Sequence, residues 1–299
     1  MSNFELSSPQ SYVNQLAQPR SLSGQFFVQF WGVRGLISTS VSNTYRYGGN
    51  TPCVEMQVGG KRLIFDGGTG LRILGKNWSQ LEQNLSAYLF FTNSQANRIQ
   101  GFPFFTPAFI PDNKLHIYGT AATNSASIKQ CLCDQMLSPH FPYPFQVMQA
   151  ELEFNNLMPG QEIKLDEITI TTALINQTQR SVGYRVSWQD YSVAYITDLY
   201  QELSESEKTG ICQLAAGADL LIANSTYVSP VRQYSSSEDS QYQAAVDLAN
   251  IAQVKQLVIS CHHPDDDDEF LDELTKKIAA VFPKTLVAHE GLNLIISQG

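Results

Sequence analysis

From Phe26 onward, short runs rich in β-branched and aromatic residues recur along the chain, at residues 26–31, 53–58, 62–65, 87–91, 115–118, 168–175, 183–188 and 192–197. Side chains of these types suit a pleated, half-buried surface, so each run predicts a strand. In the C-terminal third the pattern changes. Residues 219–223 and 256–260 form nearly continuous apolar runs, as strands covered on both faces require. Two segments repeat with a helical period instead. Residues 242–252 place Ala245, Leu248, Ala249 and Ala252 on one face, and residues 270–282 do the same with Phe270, Leu271, Leu274, Ile278 and Phe282. Asp267 or Asp268 is the expected cap of the second helix.

Strand-rich segments come first and strand/helix alternation follows, which predicts an α/β (α+β) arrangement with packed sheets in the middle and helices outside. Residues 1–25 are rich in Ser, Gln, Asn and Pro and lack an apolar period, so they read as a flexible arm. No linker of Pro/Gly/Ser composition divides residues 26–299, which read as one domain, with Ser235-Ser236-Ser237 as a loop.

Composition narrows the function classes. The 299 residues carry 19 Lys+Arg against 28 Asp+Glu, a net charge of -9, with 43% hydrophobic and 16% charged residues. A disordered acidic protein has far less apolar material, and no uninterrupted apolar run is long enough for a membrane span. The acidic balance argues against phosphate-backbone binding. Five cysteines form an odd set, and the N-terminus lacks the pattern of a secretory signal, so a cytoplasmic location is expected.

Three motifs go further. At Phe30-Trp-Gly-Val-Arg-Gly35, Tyr45-Arg-Tyr-Gly-Gly-Asn-Thr51 and Ile64-Phe-Asp-Gly-Gly-Thr-Gly-Leu71 the chain resembles the metallo-β-lactamase superfamily, in particular its bacterial phosphodiesterase-like hydrolases. The resemblance continues through Ile99-Gln-Gly-Phe-Pro-Phe-Phe105, Gly183-Tyr-Arg185, Thr197-Asp198 and Ala218-Asp-Leu-Leu-Ile222. It implies a four-layer αββα sandwich of two pseudo-repeated halves, with the site on the rim where the sheets open. It also implies two metal ions, usually zinc, held mostly by a T-H-x-H-x-D-H segment just before the I-Q-G-F-P-F-F stretch. Here that segment reads Thr92-Asn93-Ser94-Gln95-Ala96-Asn97-Arg98.

Asn93 and Gln95 stand where the resemblance expects histidines, Asn97 replaces the aspartate, and Arg98 replaces the last histidine. Carboxamides are neutral, weak oxygen donors that suit zinc poorly. A guanidinium stays protonated and cannot coordinate at all. The family's next histidine, after the strand ending near Ile175, corresponds to Gln177. Asp198, which bridges the metals in the family, remains, and either Cys261 or His262 takes the late ligand position. No bound metal or other cofactor is expected.

The vestigial pocket therefore comprises Asn93, Gln95, Asn97, Arg98, Gln177, Asp198, Cys261 and His262. Arg98 either pairs with Asp198 or, with Arg34, Arg46 and Arg180, offers a bidentate site to an anion. Asp265–Asp268 read as a solvated acidic turn before a helix, and the Pro/Phe-rich segments 102–107 and 141–145 read as cleft edge or buried cover. The expected function is that of an inactive hydrolase frame. It would serve as a binding or regulatory protein for an anionic small ligand or a protein partner, with homodimerisation expected by analogy with relatives. The alternative is a phosphodiesterase- or esterase-type hydrolase using Asp198, His262 and Arg98.

Overall fold

The computed structural model describes residues 24–80, 84–199, 203–224 and 242–297. The arm expected over residues 1–25, save its last two residues, and the serine run at 235–237 lie outside them. Two mixed seven-stranded sheets face each other. The first has the order β14-β1-β2-β3-β4-β5-β6, built from Asn293–Ser297, Phe26–Gly32, Cys53–Val58, Lys61–Phe65, Ser86–Phe90, Lys114–Gly119 and Glu151–Asn156. The second has the order β13-β12-β11-β10-β9-β8-β7, built from Thr285–Val287, Leu257–Ser260, Leu220–Asn224, Tyr191–Ile196, Ser181–Trp188, Ile168–Asn176 and Glu162–Leu165.

Strand alternation divides the side chains between layers. Val54, Met56 and Val58 of β2 point into the inter-sheet core with Phe30, Phe65, Tyr184, Val193 and Val258, while Cys53 faces outward. Outside the first sheet, helices α1 (Gly70–Trp78) and α3 (Ile128–Asp134) cover Ile64, Leu89 and Leu115. Between them in sequence lies the single turn of α2 (Ala96–Ile99). Outside the second sheet, α4 (Glu205–Ala215), α5 (Gln243–Ile251) and α6 (Asp268–Val281) cover Ala194, Leu221, Ala223 and Ile259. Strands β11 and β12 are buried along their whole length, as their continuous apolar runs required. The result is the four-layer αββα sandwich.

The two halves match position for position. In each sheet three antiparallel neighbours (β1, β2 and β3; β8, β9 and β10) lead into three parallel ones (β4, β5 and β6; β11, β12 and β13). Strands β6, β7, β13 and β14 escape the sequence reading. β6 and β7 are edge strands whose alternation is diluted by Glu, Lys and Asn on the solvent side. Helix α4 escapes as well, because Ser, Lys, Thr, Gly and Gln interrupt its apolar period. Its start is nevertheless well specified, by a capping box between Ser204 and Glu207.

Asp267 caps α6, its side chain accepting from the Phe270 backbone N–H at 2.8 Å. Asp265 is exposed, but Asp266 and Asp268 correct the expectation of a solvated turn. Asp266 is fully buried and accepts from the His263 N–H and the Tyr242 hydroxyl, while buried Asp268 accepts from the backbone of Arg46 and Tyr47. The Asp268 carboxylate thus anchors the loop after β1 to the N-terminus of α6. Phe102 and Phe105 are buried cover over α1, Phe105 meeting Trp78 edge-on, and Phe102 stacks on Phe145.

Candidate functional site

The carboxyl ends of β3, β4, β10 and β12 meet on one rim of the sandwich, together with the β8–β9 turn. Ends of parallel strands are where an open α/β sheet leaves a crevice. Asp66 follows β3 directly, Thr92 and Asn93 follow β4, Thr197 and Asp198 follow β10, and Cys261 follows β12. Glycine makes the approach possible. A Cβ at Gly101 would sit 1.9 Å from the Gly68 carbonyl oxygen, and one at Gly68 would sit 2.5 Å from that of Asn97, so the loop after β3 packs flat against α2.

At the floor lies Arg98, 2% exposed. Its Nη1 donates to Asp66 Oδ2 and, at 2.7 Å, to Thr197 Oγ1, and its Nη2 donates to the Thr197 carbonyl. Asp66 is also filled from other sides, by the Thr92 N–H at 2.8 Å, the Thr92 hydroxyl at 3.0 Å and the Tyr195 hydroxyl at 2.8 Å. Burial works against the Arg98 cation, but Asp66 leads a set of groups that more than offset it and hold its pKa well above the ordinary value. The pairing corrects one sequence expectation: Arg98 takes Asp66, not Asp198. Asp66 stands in the left-handed region at φ 61°, which turns its carboxylate inward.

Asp198 is held differently. Its Oδ2 accepts from the Ser181 hydroxyl and, at 3.4 Å each, from the carboxamides of Asn93 and Asn176. Burial raises its pKa, and Arg98, Ser181 and Asn93 oppose that rise. The two asparagines are oriented by backbone. Asn93 Oδ1 accepts from the Gln95 N–H and Asn176 Oδ1 from the Gln179 N–H, both at 3.0 Å, so their NH2 groups must point at Asp198. Gln95 and Gln179 join side chain to side chain at 2.9 Å above them.

Asn93, Gln95, Arg98 and Asp198 are thus brought together, and Asn97 is buried in the first turn of α2 behind them. Gln177 is not. It is exposed, its backbone N–H bonding Glu207, and Asn176 one residue earlier meets Asp198 instead. A register shift between Leu174 and Asn176 breaks the alternation that would have faced every second residue inward. Ser181, Asn176 and Tyr195 are the site residues that sequence reasoning missed.

The Cys261/His262 pair is resolved by backbone geometry. Cys261 takes φ 54°, a left-handed turn after β12 that sends the two side chains apart. The Cys261 thiol is buried; that burial pushes its pKa up to about 11, with Arg98, Asp66, Ser260 and Asp198 as its electrostatic and hydrogen-bonding neighbours. His262 turns away. Its Nε2 lies 2.7 Å from the Ala288 carbonyl and its ring meets Tyr47 edge-on. Burial, with Arg34 adding repulsion, lowers its pKa to about 3. The set Asp198, His262 and Arg98, imagined as an unconventional hydrolase centre, is therefore not assembled.

Nor do the four arginines gather around an anion. Arg34 is fully buried and donates to the carbonyls of Gly48, His263 and Asp266. Arg46 pairs with Asp272 at 2.8 Å on the surface, Arg98 is consumed by Asp66, and Arg180 is exposed on the β8–β9 turn.

Would these residues hold the metal pair that the fold often carries? The donor set does not fit. Among the described residues no group of three or more His, Cys, Asp and Glu side chains is placed to hold a metal ion. The amides next to Asp198 present N–H groups rather than lone pairs, and a buried guanidinium lies beside them.

With two matched mixed sheets and a rim site at the strand ends, the chain has the metallo-β-lactamase fold. No family model matches the chain, and a search of the curated proteins finds no match either. Among solved structures it is similar to a diphosphatase of the PhnP family, at 15% identity and TM-score 0.64 over 92% of this chain and 100% of that one. It is also similar to the metallo-β-lactamase fold protein YhfI from Bacillus subtilis, at 17% identity and TM-score 0.61 over 90% and 98%. Zinc-bound PqqB from Methylobacterium extorquens matches at 14% identity and TM-score 0.64 over 90% and 99%. At such identities these likenesses define the fold.

Proposed function

We propose that this chain uses the metallo-β-lactamase frame without the metal pair, as a binding or regulatory protein rather than a hydrolase. The observation that carries the reading is Arg98. Its guanidinium is buried in the rim site, bonded to Asp66 and Thr197, where a metal ligand would have to be neutral or anionic. Carboxamides at Asn93 and Gln95 support the same reading, because borderline divalent ions prefer imidazole nitrogen and thiolate sulfur to neutral amide oxygen.

The partner is a small ligand entering at the rim, or a protein covering it, a second copy of the chain included. The five cysteines are all free thiols, which suits a reducing, cytoplasmic setting. Among the described residues, no helix is long and apolar enough to cross a membrane.

Metal analysis of protein purified without chelator tests the reading, together with turnover of bis(p-nitrophenyl) phosphate. Substoichiometric zinc, manganese and iron with no turnover is the expected result. About two equivalents of metal per chain, with phosphodiesterase activity that a chelator abolishes, would overturn it.

A further inference from the structure

The rim site holds one guanidinium and two carboxylates. Arg98 is bonded to Asp66 alone of the two and acts on Asp198 only through space, while the hydrogen-bond partners of Asp198 are neutral: two carboxamides and a hydroxyl. All three hydrogen bonds to Asp198 fall on Oδ2, and Oδ1 accepts none among the described residues. Asp198 is only partly covered, so this oxygen marks the open side of the pocket. Formal charges give one positive against two negative, a deficit of one positive charge in a site where desolvation makes charge costly.

We propose that the rim pocket takes a small ligand bearing a protonated amine or amidine, whose N–H bonds Asp198 Oδ1 and supplies the missing positive charge. The inference rests on the metal-free reading above and reverses the anionic ligand expected from the sequence. Orientation of the amides favours a nitrogen cation over a metal ion. Asn93 and Asn176 have committed their oxygens to backbone N–H groups and turn only N–H toward Asp198, so neither offers an oxygen to converge with Oδ1 on a bare cation. An N–H donor needs just one acceptor, and a charge-assisted bond to a carboxylate is the strong kind. The Gln95–Gln179 pair, one bond removed from each asparagine, forms the adjoining mouth and offers amide groups to the polar remainder of the ligand. Arg180 does not oppose this, since it is exposed on the β8–β9 turn.

Isothermal titration and thermal shift on the full chain, with methylguanidinium chloride, potassium phosphate and zinc chloride as probes at low ionic strength, form the test. The expected result is saturable 1:1 binding of methylguanidinium that weakens at least about tenfold in Asp198→Asn. The carboxamide introduced there keeps an acceptor oxygen for Ser181, and the variant's melting curve reports whether it is folded. Gln95→Glu adds a carboxylate at the mouth and is expected to tighten the same binding, a gain that misfolding cannot produce. Phosphate binding without methylguanidinium binding would overturn the inference. So would methylguanidinium binding that both variants leave unchanged, or no binding of either probe. Saturable binding of two zinc ions per chain would instead sink the metal-free reading on which it rests.

Discussion

Asp66 and Asp198 hold corresponding places in the two halves of the sandwich, each just past the last antiparallel strand of its sheet, β3 or β10. Their surroundings differ completely. Asp66 fills both oxygens with four hydrogen bonds, one from a buried cation, and is sealed from solvent. Among the described residues Asp198 accepts on one oxygen and is paired with no cation, and it lies partly open. One carboxylate has become part of the frame, and the other keeps an oxygen without a hydrogen bond among the described residues. The same fold position is thus no guide to role. What decides it is whether a neighbouring loop delivers a counter-charge, and among the described residues the loop carrying Arg98 delivers one to Asp66.

The largest expected effect comes from attacking the sealed half. Arg98→Ala leaves Asp66 buried without its partner, which costs about 3–5 kcal/mol in chemical denaturation. Pairing Arg98→Met with Asp66→Asn is expected to recover most of that loss, since no uncompensated charge then remains. A double variant as unstable as the single one would show that shape, not charge, sets the cost.

Ser181→Ala probes the open half more gently. Losing one hydroxyl bond to a half-buried carboxylate is expected to cost about 1 kcal/mol. It should also raise the Asp198 pKa further, because that bond favours the ionised form, and the carboxyl resonance followed by NMR through a pH titration reads the shift.

Asp198→Asn is the mildest change and has the opposite sign. The folded pKa of Asp198 is raised above its unfolded value by burial. Its favourable contribution is therefore complete below the ordinary carboxylate range and is lost as pH rises through the folded pKa. At pH 7 the variant is accordingly expected to melt slightly higher than the parent, with the difference vanishing in acid. A parent that is the more stable at pH 7 would place Asp198 in the frame along with Asp66.

Much of this was legible in the residues. The two-faced apolar runs of β11 and β12 and the carboxamides and guanidinium at 93, 95, 97 and 98 stand in the linear sequence. Which carboxylate Arg98 would choose does not, because Asp66 precedes it by 32 residues and Asp198 follows by 100, and only the packed rim brings them together. Likewise Asn176 replaces Gln177 through a strand irregularity, and Cys261 replaces His262 through a left-handed turn. Both are one-residue events that no periodicity announces. Asparagine carboxamides are poor metal ligands, yet the greater effect of Asn93 and Asn176 is as donors, an orientation set by the backbone N–H groups of Gln95 and Gln179.

Strand β14 completes the first sheet by lying against β1, and the Phe26 backbone N–H reaches the Ser297 hydroxyl across 271 residues of chain. A ribosome makes β1 early and β14 late. Throughout that interval the free side of β1 is a strand edge of the kind that recruits foreign strands. Its residues Phe26, Phe27, Val28 and Phe30 are apolar and, once folded, buried. A stalled or shortened chain ending before Asn293 would therefore expose an adhesive ribbon. Its fate would be decided by how quickly chaperones shield that ribbon, and quality control would act on it well before the rim site could matter.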